Sequence, residues 1–226
     1  MVRGSGLGSM GLKSPADMNR NPDHLEIEVK FFLEDPDRIR RRIMALGAAA
    51  RPRAFETNIR YEDPIGSLKA NGKLLRLRRD GSNRLTFKCS PRTQDSECKI
   101  FRELEVAVDD FDTMAAILEA LGFRQVQTYE KWRETFSWHD VEFCLDDMPY
   151  GTFLEIEGSK ASIRQAAKGL GLKWPDRILA NYLAIFDMLR EKYALPFNNV
   201  TFSDFAEYPV DIVPMLSQLQ MNGDGI

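Results

Sequence analysis

HLEIEVKFF, residues 24–32, decides how the chain folds. In an extended strand, side chains alternate between two faces. Leu25, Ile27, Val29 and Phe31 therefore share one face, and Glu26, Glu28 and Lys30 share the other. A half-buried antiparallel strand with one wet face has this pattern. The question is whether the charged face looks outward to water or inward to a site.

The same alternation recurs along the chain. Arg76 and Arg78 share a face in LLRLRRD, opposite Leu75 and Leu77. In RLTFKC, Arg84, Thr86 and Lys88 stand opposite Leu85 and Phe87. Glu103 and Glu105 share a face in RELEVAV, and Lys131 and Arg133 share one in EKWRETF. Glu142, Cys144 and Asp146 alternate with Val141, Phe143 and Leu145. Glu155 and Glu157 alternate with Leu154 and Ile156, and ETNIRYED sets Glu56, Asn58 and Arg60 on one side. Two features argue against ordinary solvated faces. The sign of charge is sorted strand by strand, and Ser, Thr, Gln and Asn are scarce among the charges. The pattern fits an α+β fold in which an eight-stranded antiparallel β-barrel has a charged interior, with helices packed outside. Closing the sheet also removes its exposed edges.

Helical spacing predicts helices over 35–48, 111–123, 160–171 and, capped by Asp176, about 177–194. Residues 65–73 and 90–99 read as turn and loop. From Ala194 onward the prolines and apolar residues do not assign an element, so 195–226 stands as a tail of undetermined order beyond a domain spanning 23–194. The Gly- and Ser-rich residues 1–22 have no apolar h-region and read as a vector-like leader.

Composition narrows the function. Of 226 residues, 43% are hydrophobic and 29% charged, which describes a globular chain. A net charge of −3 gives no general basic character for nucleic-acid binding. Three cysteines, an odd number without a CxxC pair, indicate neither a disulfide framework nor a zinc site and fit a cytoplasmic setting. No apolar run approaches the roughly eighteen residues of a membrane span.

Inward-facing charge is costly unless paired or ligated. Guanidinium and ammonium groups bind phosphoryl oxygens. Clustered carboxylates bind hard divalent cations such as Mg²⁺ or Mn²⁺. A polyphosphate bridged to metal uses both signs at once.

Glu26-Ile27-Glu28-Val29-Lys30 resembles the ExExK signature of CYTH proteins, the triphosphate tunnel metalloenzymes. LRLRRD, LTFK, RELEV, KWRETF, CLDDMPYGTFLEIEG and ANYLAIF follow in the family's order, so the resemblance covers about residues 25–190. It implies a charged barrel tunnel that acts on a triphosphate-containing small molecule. It implies Glu28, Glu155 and Glu157 as principal metal ligands, with Glu26 assisting or holding a second metal. It implies Lys30, Arg76, Arg78, Lys88, Lys131 and Arg133 as the phosphate cradle, and Glu103, Glu105 and Asp146 as acids that order it. ETNIRYED departs from the family's ETN-x-Y-[FY]-D run at Arg60 and Glu62. Hydrolysis of inorganic, nucleoside or thiamine triphosphate is the expected activity. Class IV adenylyl cyclase is the alternative and a non-catalytic polyphosphate or nucleotide-binding module the second. A monomer or homodimer is expected.

Overall fold

On most strands the apolar face packs under helices and the charged face turns to the interior, while Phe55, Leu104, Val106 and Trp132 stay exposed on the outer face. The computed structural model describes residues 24–91 and 95–221, so the leader expectation for 1–22 lies outside them. The chain runs β1 (Leu25–Phe32), α1 (Pro36–Ala45), β2 (Ala49–Ala50), β3 (Ala54–Glu62), α2 (Ser67–Ala70), β4 (Lys73–Arg79), β5 (Asn83–Cys89) and β6 (Lys99–Ala107). It continues with α3 (Phe111–Ala120), β7 (Arg124–Trp138), β8 (Val141–Met148), β9 (Gly151–Glu157), α4 (Lys160–Gly169), α5 (Tyr182–Tyr193), α6 (Phe202–Ala206) and α7 (Leu216–Met221).

The antiparallel order is β7-β3-β4-β5-β6-β1-β9-β8, and a β7–β8 pairing closes the ring; the short β2 pairs with β7. The expected eight-stranded barrel is therefore present. Residues directly opposite across a pair share a face. Register then sets the interior: Glu28 faces both Lys99 and Glu157, Lys30 faces Glu155, Lys88 faces Glu103, and Arg133 faces Asp146.

Three apolar clusters hold this wall. Val29, Phe31, Phe143, Leu145, Leu154 and Ile156 pack on Ile39 and Ile43 of α1 and on Ile163 and Ala166 of α4. Phe111 and Leu118 of α3 cover Tyr61, Leu75 and Leu77. The third cluster stops one end of the barrel. There the inward positions turn from charged to apolar, with Phe32, Tyr129, Met148 and Phe153 meeting Tyr182, Ile185 and Phe186 of α5.

Three local expectations need correction. The helix predicted from 177 begins at Tyr182, capped by the Asn181 side chain, which accepts from the Ala184 amide at 2.7 Å. Before it, the Ile178 amide donates to the Lys30 carbonyl at 2.7 Å, so the backbone there lies extended along β1. Residues 65–73 contain the short helix α2, whose Leu68 and Lys69 amides donate to the Glu62 carboxylate, both at 2.8 Å. Lys99, read as part of a loop, opens β6. The tail folds back, and Leu195, Val200, Phe205, Ile212, Met215 and Leu219 are buried against α5. Among the described residues no helix is long and apolar enough to cross a membrane.

Candidate active site: a charged tunnel

Alternation places the charged side chains of eight strands around one cavity of about 770 Å³. Its lining includes Glu26, Glu28, Lys30, Arg76, Arg78, Lys88, Glu103, Glu105, Lys131, Arg133, Glu155 and Glu157. Asp146 lies in the wall, fully buried.

The basic groups are held by carboxylates rather than left to repel. Lys30 Nζ donates to Glu155 at 2.6 Å. Arg133 donates to Asp146 through Nε and Nη2, both at 2.6 Å, and also pairs with Glu155. Lys131 donates to Asp146 at 2.9 Å, and the Tyr182 hydroxyl donates to the same carboxylate at 2.8 Å. Arg78 lies 3.3 Å from Glu105 and 3.5 Å from Glu56. Arg76 donates to Tyr129 and Thr86, each at 3.2 Å, and sits 3.8 Å from Glu105. Lys88 donates to Glu26 at 2.5 Å and pairs with Glu103.

These contacts keep both signs of charge in place. Burial alone would lower the Lys30 pKa, but the Glu155 and Glu28 carboxylates outweigh it and hold it raised. Burial works against Lys88 likewise, and Glu26 and Glu103 raise it. Burial would raise Glu56 and Glu155, yet Lys131 and Arg133 beside the first, and Lys30 and Arg133 beside the second, hold both low. Glu103 is lowered to about 2: a hydrogen bond with Glu26 and the charge of Lys88 overcome its burial.

A different balance holds where the acids meet one another. Glu26, Glu28 and Glu157 each offer a carboxylate oxygen, and the three lie within 4.8 Å of one another. Burial raises Glu157 to about 8, and the Glu155 and Glu28 charges add to that despite Arg133. Glu26 is raised mainly by burial and further by Glu157, against the pull of Lys88. A cluster of hard oxygen donors that destabilise one another is the donor set a divalent cation stabilises. The residues therefore fit Mg²⁺ or Mn²⁺, with Glu26, Glu28 and Glu157 as the holding groups. Glu155 does not join this cluster, because Lys30 and Arg133 occupy its oxygens.

Sequence reasoning did not single out Glu56, Lys99, Tyr129 or Tyr182. Glu56 was visible on the charged face of its strand, but its central pairing with Lys131, Arg133 and Arg78 depends on barrel closure. Tyr182 lies in the ANYLAIF block; only the docking of α5 brings its ring within 4.2 Å of Lys30 Nζ. Lys99 lines the cavity, and burial lowers its pKa to about 8 despite the Glu28 charge.

The closed barrel, the charge-lined cavity and the three-carboxylate cluster define a tunnel-barrel protein whose interior carries both cationic and carboxylate groups. The CYTH domain model matches residues 24–173, well over half of the chain, and the chain belongs to the CYTH family. Members of this family are triphosphatases or adenylate cyclases that bind triphosphate substrates and depend on divalent metal. A Methanocaldococcus jannaschii protein, provisionally named an adenylate cyclase, is 30% identical over 148 residues, 65% of this chain and 83% of its own. A Pyrococcus horikoshii OT3 protein of known structure is 30% identical with a TM-score of 0.61, over 70% of this chain and 96% of its own. A Hippeastrum protein reported to have a dominant triphosphatase activity shares the fold at 18% identity and a TM-score of 0.53, over 72% of this chain and 95% of its own.

Metal should stabilise the folded chain, because the cluster exists only when β1 and β9 are paired. At a free Mn²⁺ or Mg²⁺ concentration about a hundredfold above Kd, the gain is about 2.7 kcal/mol. Thermal unfolding with metal and with chelator reads it. An unfolding midpoint unmoved by either metal would count against the cluster as a metal site.

Proposed function

We propose that the chain is a divalent-metal-dependent hydrolase of a triphosphate substrate. The observation that carries this reading is the meeting of the Glu26, Glu28 and Glu157 cluster with a wall of carboxylate-held cations in one cavity. Lys30, Arg76, Arg78, Lys88, Lys131 and Arg133 bind the phosphoryl oxygens, the arginines with two donors where geometry allows. Asp146, Glu103, Glu105 and Glu155 position those cations beforehand, so little reorganisation remains when the anion arrives. Glu26, Glu28 and Glu157 hold the cation. When bound, a divalent ion supplies charge neutralisation at the phosphoryl oxygens and lowers the pKa of water. Phosphoryl transfer runs on positioning and charge stabilisation, so no side-chain nucleophile is required.

A second reading has the same tunnel close ATP to cyclic AMP and pyrophosphate. The name of the Methanocaldococcus relative favours it. The two readings differ in which phosphorus is attacked and by which oxygen. Hydrolysis needs only the cradle and the metal cluster, and that favours it here.

The test is a panel of tripolyphosphate, ATP, other nucleoside triphosphates and thiamine triphosphate, with Mg²⁺ and with Mn²⁺. Orthophosphate release, absent with chelator, is expected. Cyclic AMP with pyrophosphate as the main products of ATP would replace this reading with the cyclase. Triphosphate binding without turnover of any substrate would make the chain a binding module.

A further inference from the structure

The cradle cations are matched by carboxylates, but three other cations lining the cavity, Lys99, Arg60 and Lys73, are not, and the last two lie toward α2 and α5. Arg60 of β3 and Lys73 of β4 both line the cavity and form no ion pair among the described residues. Arg60 is half-buried, and its Nε is buried without a hydrogen-bond partner. Its register neighbour across β3–β4 is Arg76, another guanidinium, whose Nε is also buried and unpartnered. Adjacent like charges on one sheet face cost stability unless an anion lies between them.

The acids at this end are already engaged. Glu62 accepts from the amides of Asp63 at 3.0 Å and of Leu68 and Lys69 at 2.8 Å. Asp187 of α5 lies 3.4 Å from Lys69 and 3.5 Å from Arg190. Arg60 therefore has open donors beside Arg76, and Lys73, exposed at the start of β4 on the face of Leu75 and Leu77, reaches the mouth of the cavity on the side that leads toward α2 and α5. A guanidinium with open donors beside a phosphate cradle suits another phosphoryl group.

We propose that Arg60 and Lys73 form an additional anion subsite beside Arg76, which takes the phosphoryl group beyond the third in a linear inorganic oligophosphate. The inference rests on reading the tunnel as a triphosphate site and adds chain-length preference to it. Tetrapolyphosphate is then bound at least as well as tripolyphosphate, because the fourth phosphoryl group gains partners instead of leaving the cradle.

The experiment compares tripolyphosphate with tetrapolyphosphate on the full chain, by initial rates with Mg²⁺ and by thermal shift without turnover. The wild type is expected to show kcat/KM for tetrapolyphosphate equal to or above that for tripolyphosphate, and a larger thermal shift. Arg60→Gln should lower the tetra-to-tri ratio by about tenfold, as loss of one charge-assisted contact does, and Lys73→Gln, which removes a solvent-exposed charge, should lower it by less. A wild-type preference for tripolyphosphate in both readouts overturns the proposal even if a variant fails to fold. So does an unchanged ratio in both variants. A selective rise in the KM for ATP in Arg60→Gln, with the oligophosphate ratio intact, would mean that Arg60 reads an organic group and would also overturn it. Failure of the wild type to turn over tripolyphosphate contradicts the hydrolase reading instead; the thermal shifts still decide the chain-length inference.

Discussion

Glu157→Gln should lose metal-dependent turnover by at least about a hundredfold, the upper end of what disturbing even an outer-shell partner of a metal costs. The reason is geometric. Glu157 comes from β9 and Glu26 and Glu28 from β1, and the three carboxylates converge within 4.8 Å. Glutamine keeps the shape and one carbonyl donor but removes the charge. The same substitution should leave the metal-free fold at least as stable. Glu157 is raised to about 8, chiefly by burial and then by neighbouring acids. Between the ordinary carboxylate range and about 8, the folded chain holds a proton that the unfolded chain releases, so this group costs increasing stability as pH rises through that window. Above about 8 the cost is at its full value. In chelator, the stability difference between Glu157→Gln and the wild type should therefore grow in favour of the variant from about pH 5 to pH 8. Urea denaturation at several pH values, paired with orthophosphate release, checks both parts. Retained turnover would remove Glu157 from the metal site. A stability loss with intact turnover would make its role structural.

Asp146→Ala should be the most damaging single change to the fold within the tunnel. Asp146 is fully buried and accepts from Lys131, from Arg133 twice and from the Tyr182 hydroxyl. Glu56, at 3.6 Å from Lys131 and 3.8 Å from Arg133, pairs with both by charge but hydrogen-bonds neither, so it replaces only part of what Asp146 supplies. Removing one partner of a buried ion pair typically costs about 3–5 kcal/mol, since the remaining charge stays in a poorly solvated place. The expected result is a loss of that order in urea unfolding. A second sign separates this from simple cavity formation. With Asp146 gone the cradle carries more net positive charge, so tripolyphosphate should raise the unfolding midpoint of the variant more than that of the wild type. An equal or smaller shift would mean that Lys131 and Arg133 do not face the anion.

The strands were readable because their period-two pattern is strong: Glu26, Glu28 and Lys30 alternate with Ile27, Val29 and Phe31, and the structure keeps that division. The barrel followed because so many charged faces require a common interior. Helix α5 was less readable. Asp176 is an adequate capping residue, but the Ile178 amide bonds to Lys30 and holds the segment extended until Asn181. That competition is between residues far apart in sequence, and local propensity carries no record of it. The tail was unreadable for a related reason: its elements are short, and residues such as Val200, Phe205 and Ile212 are ordered by burial against α5 rather than by their own periodicity.

By itself the sequence determined the barrel, the sign of charge on each wall and the family to which the chain belongs, because alternation and the order of blocks are local properties. Tertiary structure alone decided how the charges are paired. Lys30 and Arg133 draw Glu155 out of the carboxylate cluster, while Glu26, Glu28 and Glu157 are left to one another. Docking of α5 adds Tyr182 to the buried Asp146 network. Strand register and barrel closure set these distances, and at a few ångströms in a poorly solvated interior, distance determines which carboxylate neutralises a lysine and which is left facing other carboxylates.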